Sequence, residues 1–171
     1  MSNEIHVLSL FVHLTATAFW IGGLLITMIL VWPTMKKGLE GNPALYTVLS
    51  GLRKRFYPIS NLSLIALITT GLFQMSSDPN YDGFMTFDNT WSKLMLLKHI
   101  LIGVMAVAGL LLQYTVAPAL ERASLLLERE KGKESTQAEW DSLRRREVML
   151  TWFNGLLGLG ILAISVWLSI L

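Results

Sequence analysis

The chain has 171 residues, of which 53% are hydrophobic and 15% charged, with a formal net charge of +2 and no cysteine. A charged fraction so far below the roughly 25% of soluble domains excludes a water-soluble fold for the chain as a whole. The missing cysteine excludes disulfides, thiolate metal centres, iron–sulfur clusters and covalently attached c-type haem. The small net charge sits in short basic segments and gives no nucleic-acid-binding signature.

Four runs contain no Asp, Glu, Lys or Arg: Ile5 to Met35, Phe56 to Ser77, Ile100 to Leu120 and Val148 to Leu171. Each meets the ~20 apolar residues that cross a bilayer core. The expected fold class is therefore all-α, an integral membrane bundle of four transmembrane helices within one unit, 1–171, with the lipid bilayer as its first partner.

In chain order, the first helix is expected over 5–33. It opens with Glu4 rather than a basic residue, and its apolar run is too long for a cleavable leader, so the segment is expected to be retained. The stretch "PALYTVLSGLRKRF" has an apolar face and a basic end, which suits a short interfacial helix. The second helix is expected over 58–75, with Pro58 in its first turn. The loop "SSDPNYDGFMTFDNTWSK" is rich in turn formers. The third helix is expected over 94–118. Beyond Pro118, acids and bases alternate at helical spacing and are broken by "KGKES", which predicts two solvated helical extensions. Thr136 and Glu139 form a candidate capping box for the second extension. The fourth helix is expected over 149–171.

Of the fourteen Lys and Arg, only Lys93 and Lys98 lie outside the first and third connecting segments. The positive-inside rule then places both basic segments and the charged extensions in the cytoplasm and both termini outside, as in a bacterial inner membrane.

The three histidines are His6, His13 and His99. An ionisable residue inside a span is a functional candidate by default. His6 and His13 are seven apart on one helical face, and Trp20 continues that stripe. At 1.5 Å per residue His13 lies ~12 Å below Ile5, and His99 ~8 Å beyond Leu94. The two imidazoles thus share a depth in the outer half of the bundle, which is the arrangement that holds haem b between two helices by axial nitrogens. Gly22, Gly23, Gly103 and Ala106 would give room beside them, and Lys98 could pair with a propionate or extend to water. The alternative is that each histidine only hydrogen-bonds a Ser, Thr or carbonyl across the bundle. A second constellation is softer. Met95 lies one turn before His99, and Met75 and Met85 fall at the same end. Thioethers with imidazoles suit Cu(I), with His6, His13, Met95 and His99 as the candidate ligands.

"HLTATAFWIGGLL", from His13 to Leu25, resembles the first helix of the CopD-like (copper resistance protein D) membrane proteins, and also that of the HemJ-type protoporphyrinogen oxidases. "WSKLMLLKHILIGVMAVAG", from Trp91 to Gly109, resembles the third-helix signature of the same grouping, with Lys98 at its lysine. The CopD likeness implies copper transport or resistance. The HemJ likeness implies haem b, with His13 at a ligand position, and a haem-dependent membrane oxidoreductase. The chain departs from HemJ after "ILVWPTMKK" and in its fourth helix, which lacks a polar Asn-Glu-Pro ending.

The primary expectation is a haem b-binding membrane protein that moves electrons to or from an unspecified redox partner, with His13 and His99 as axial ligands and Lys98, Trp20 and Gly103 around the cofactor. Copper handling is the alternative. A third reading is a non-catalytic subunit packing inside a larger membrane complex through the small residues Gly155, Gly158 and Ala163, and a homo-oligomer is the other assembly expected.

Overall fold

The computed structural model describes residues 3–31, 33–34, 44–81, 83, 89–129 and 134–171. All regular structure in them is helical. Helix α1 spans Asn3–Ile26 and continues as a π-helical turn, Thr27–Val31. Helix α2 spans Ala44–Ser76. Helix α3, Thr90–Leu111, runs through a second π-helical turn, Leu112–Val116, into α4, Ala117–Arg129. Helix α5 spans Glu134–Leu168. Four stretches are long and apolar enough to cross a membrane: Asn3–Val31, Val48–Ser76, Thr90–Leu127 and Glu134–Leu168. Large apolar side chains cover their outer faces, among them Phe11, Phe19, Ile65, Val107 and Val166. Helices apolar all round are what lipid contact requires.

The spans are fewer and longer elements than the sequence suggests. Pro58 does not start a helix but lies inside α2, so the expected interfacial helix and second span are one rod. Pro118 does not end the third helix, because the π turn just before it carries the chain on into α4. In a bilayer, the backbone group a proline leaves unpaired is absorbed by neighbouring helices and local π adjustment. Thr136 is not a cap: α5 already begins at Glu134, and the threonine is buried in its first turn. The third span starts earlier than Leu94, because Asn89 accepts the Ser92 backbone N–H at 2.7 Å and caps α3. Lys36, Lys37, Met85 and most of "KGKES" lie outside the described residues.

α1 packs along α2 and more lightly on α5, while α3 packs along α5. α1 and α3 share no extended contact and face each other diagonally. The centre is closed by Trp20 and Ile21 of α1, Met105 of α3 and Ile161 of α5, with Leu64 and Leu67 of α2 against them. Two glycines let α5 come this close. A Cβ on Gly155 would stand 2.7 Å from Met28 Sδ, and one on Gly158 would stand 3.5 Å from Ile21 Cγ2. Both are buried, so the small-residue face of the last helix serves the inside of the bundle, while Ala163 is exposed. That removes the sequence argument for docking through this face.

At one end of the bundle, α4 and the start of α5 form a hairpin with its own core of Leu120, Ala123 and Trp140. Arg144 lies over the Trp140 ring, 4.9 Å from its centroid. The charged extensions are therefore packed on one another rather than separately solvated. Lys54 of α2 reaches Glu121 of α4 at 2.7 Å on the exposed side of the same end.

Candidate functional site

Among the described residues the bundle holds a cavity toward each end. The first, about 300 Å³, lies at the end that carries the α2–α3 connection. His13 and Trp20 from α1, Met75 from α2 and Met95, Lys98 and His99 from α3 all line it. Gln74, Asp78, Trp91 and Ser165 complete its polar and aromatic wall. The structure thus brings together His13, His99, Lys98, Met95 and Trp20 as the sequence pairs them. It does not bring in His6, which is exposed, or Gly103, whose missing side chain faces open space outside both cavities. Gly23 and Ala106 line the other cavity, so the room they make is not beside the histidines.

The hydrogen bonds fix both imidazoles. His13 Nδ1 lies 2.8 Å from Thr70 Oγ1. The Thr70 hydroxyl has a single hydrogen, and it donates that to Ala66 O at 2.5 Å. Thr70 therefore accepts, and His13 must be protonated at Nδ1. His99 Nδ1 lies 2.7 Å from Met95 O, one turn back on its own helix. A carbonyl only accepts, so His99 is also the Nδ1–H tautomer. Each Nε2 keeps its lone pair and has no hydrogen-bond partner among the described residues. Histidines that ligate a metal are held in this way, with the other ring N–H given to an oxygen acceptor. The expectation of a hydroxyl partner across the bundle is met by Thr70 for His13, while the partner of His99 is a carbonyl on its own helix.

Two contributors escaped the sequence reading. Thr70 sets the tautomer of His13, and Gly71 beside it leaves the space: a Cβ there would stand 3.4 Å from His13 Cε1. "TTGLF" offers no local sign of either role. Among the described residues no three His, Cys, Asp or Glu side chains converge into a ready-made metal site. Any metal held here would need the two imidazoles supplemented by other residues of the lining, such as Met75, Met95 or Asp78.

The second cavity, about 440 Å³, lies at the basic end. Both π turns reach it, through Thr27 and Val31 of the first and Leu112 and Gln113 of the second. Thr27 Oγ1 donates back to Gly23 O at 2.8 Å, and Thr115 likewise to Leu111 O. Such back-bonding loosens the regular ladder. Asn154 of α5 clamps the approach to the second π turn. With its amide turned to satisfy both groups, Nδ2 donates to Met105 O at 3.3 Å and Oδ1 accepts from Gly109 N at 3.2 Å. Arg53 of α2 forms an ion pair with Glu147 of α5, which is 5% exposed. The pair occupies Glu147 Oε1, while Oε2 is buried without a partner, as is the Tyr57 hydroxyl. Trp20 lines both cavities.

Four helices long and apolar enough to cross a membrane surround these two cavities, one of them lined by His13 and His99, and define an integral membrane protein. The family model of CopD, copper resistance protein D, matches residues 50–168, and the chain belongs to that family. The match takes in His99, Lys98 and the Trp91–Gly109 stretch, and His13 and Trp20 lie before it. No curated protein and no solved structure compared with the chain matches it.

Proposed function

We propose that the chain is a copper-handling protein of the membrane, which takes up Cu(I) in the cavity between α1 and α3. The observation that carries this is the presentation of two lone-pair Nε2 nitrogens, each fixed by its own Nδ1–H bond, in one cavity with the thioethers of Met95 and Met75. Soft thioether and imidazole donors select Cu(I) over harder ions. Membership of the copper resistance protein D family supports the same reading. By the distribution of Lys and Arg, this cavity faces the outside.

The test is Cu(I) titration of the purified protein in detergent against a chromophoric competitor. One equivalent should bind, and His13→Ala and His99→Ala should each weaken binding at least tenfold. Unchanged affinity in both variants would sink the proposal.

Haem b is the second reading, favoured by one observation: the two imidazoles stand on diagonal helices with no extended backbone contact between them. The residues fit it less well. The cavity is at the small end of the range for organic ligands, and of the small residues expected beside the ligands, Gly23, Gly103 and Ala106 lie elsewhere. Were haem bound, His13 and His99 would ligate its iron, Lys98 would be the residue to meet a propionate, and the iron would supply one-electron chemistry. A reduced-minus-oxidised spectrum of protein from haem-replete cells decides, since a b-type α-band would favour haem and its absence copper.

A further inference from the structure

The cavity of about 440 Å³ at the basic end lies apart from the histidines. Its wall is mostly apolar, with leucines and isoleucines from three helices, and it carries two arginines, Arg53 and Arg55. We infer that it is a binding site for an anionic phospholipid, with one acyl chain inside the cavity and the phosphate on Arg55. The inference goes beyond the copper reading and does not rest on it.

The cavity opens sideways to the bilayer. Among the described residues α1 packs on α2 and α5, and α5 packs on α3, but α2 and α3 share no extended contact. The ring of spans is therefore open between α2 and α3. Leu52 and Ile59 of α2 and Leu110 of α3 line the cavity and are also exposed. Apolar side chains exposed on a membrane span meet hydrocarbon, so what enters here comes from the lipid.

The length fits one chain. Inward of Arg55 the wall follows α2 as far as Leu64, ~14 Å at 1.5 Å per residue. Along α1 it runs from Val31 to Trp20, ~16 Å by the same rise. Both lengths match one leaflet, half of the ~30 Å hydrocarbon core. Trp20, held in the central apolar cluster, closes the deep end. The apolar depth offers water no set of polar partners. Leaving it empty would forfeit dispersion contacts along the whole wall.

The charge selects the head group. Of three consecutive basic residues on α2, Arg53 is committed to Glu147 and Lys54 to Glu121. Arg55 is exposed at the cavity wall and has no ion pair among the described residues. A guanidinium there can meet a phosphate through two parallel N–H donors. The distribution of Lys and Arg turns this end to the cytoplasm. That leaflet is anionic, and basic pockets between spans on that side take anionic head groups. A chain gains little by leaving the bilayer for the cavity, since lipid tails are as apolar as leucine. The phosphate therefore decides which lipid stays.

The test is native mass spectrometry of the full chain in a delipidating detergent, with dioleoyl phosphatidylglycerol or dioleoyl phosphatidylcholine added back. The two lipids share their chains and differ in head-group charge. One phosphatidylglycerol should bind per monomer, in preference to phosphatidylcholine. Arg55→Gln should lower phosphatidylglycerol affinity roughly fivefold, the share of one basic residue at a membrane surface, and leave phosphatidylcholine unchanged. Arg122→Gln, at an exposed position of α4 outside the cavity, should change neither. Ala106→Phe sets a ring into the cavity wall and should weaken both lipids. Equal binding of the two lipids by wild type overturns the head-group assignment, as does a loss in Arg122→Gln equal to that in Arg55→Gln. Unchanged lipid binding in a folded Ala106→Phe protein overturns the cavity as the site. Arg55 is exposed, so its variant decides the proposal even where Ala106→Phe does not fold.

Discussion

Thr70→Val replaces a hydroxyl by a methyl at nearly constant volume and takes away the one acceptor of His13 Nδ1–H, 2.8 Å away. Valine leaves that N–H facing hydrocarbon. The ring then turns to find another acceptor or shifts its proton to Nε2, and either change removes the lone pair from the cavity. Loss of such an outer partner costs about 10- to 100-fold in metal affinity, equivalent to about 1.4 to 2.8 kcal/mol. The cost in stability is smaller, since interhelical hydrogen bonds in membranes average about 0.6 kcal/mol. The same variant also removes the Thr70 bond to Ala66 O, which is local to one helix and leaves the carbonyl in an intact ladder. We therefore expect Thr70→Val to keep a melting temperature in detergent close to that of wild type while its Cu(I) affinity falls at least tenfold in the competition titration. Thr70→Ser, which keeps the hydroxyl, should recover most of that loss. A Thr70→Val protein that binds Cu(I) within twofold of wild type, under conditions where His13→Ala does not, would refute the tautomer argument.

Two further predictions concern folding. Leu120→Ala empties a fully buried position between α4 and α5. It should lower stability by about 2 to 5 kcal/mol, read as an earlier loss of helical signal in a denaturant series, with Cu(I) affinity of the still-folded protein unchanged. Asn89→Ala removes the cap of α3 and should cost about 0.5 to 2 kcal/mol. Hydrogen exchange at the amides of residues 90–92 should speed up, and unaltered protection there would argue that the loop, not the asparagine, holds the helix start.

The four spans were legible because a bilayer reads composition directly: a charge-free run of sufficient length needs no tertiary partner to become a helix. Their ends were not legible. Pro58 carries the start signal and Pro118 the stop signal of soluble helices, and neither marks an end here, because the signals assume that water waits beyond the helix end. The matched depth of His13 and His99 came from counting residues along two helices that enter from the same side, and both residues line one cavity. Thr70 and Gly71 could not be read, since nothing local sets the vertical register of α2 against α1. The Arg53–Glu147 pair joins the basic end of the expected interfacial helix to the expected solvated extension, and only the fold brings the two side chains together as a buried couple. Met95 was read as a thioether, yet the atom of that residue seen to act is its carbonyl oxygen.

Helix α5 is a single rod of 35 residues, about 50 Å long. Trp140 sits near one end in the hairpin core, Glu147 and Asn154 follow in the basic-end cavity, and Ser165 and Leu168 reach the histidine cavity. Its glycines Gly155 and Gly158 rest against Met28 and Ile21 of the first span. A rod pinned near its middle is a see-saw. A tilt of about 5° there moves a point 25 Å away by roughly 2 Å. One helix thus belongs to the hairpin core and to the walls of both cavities, so a push on the hairpin is felt at each of them.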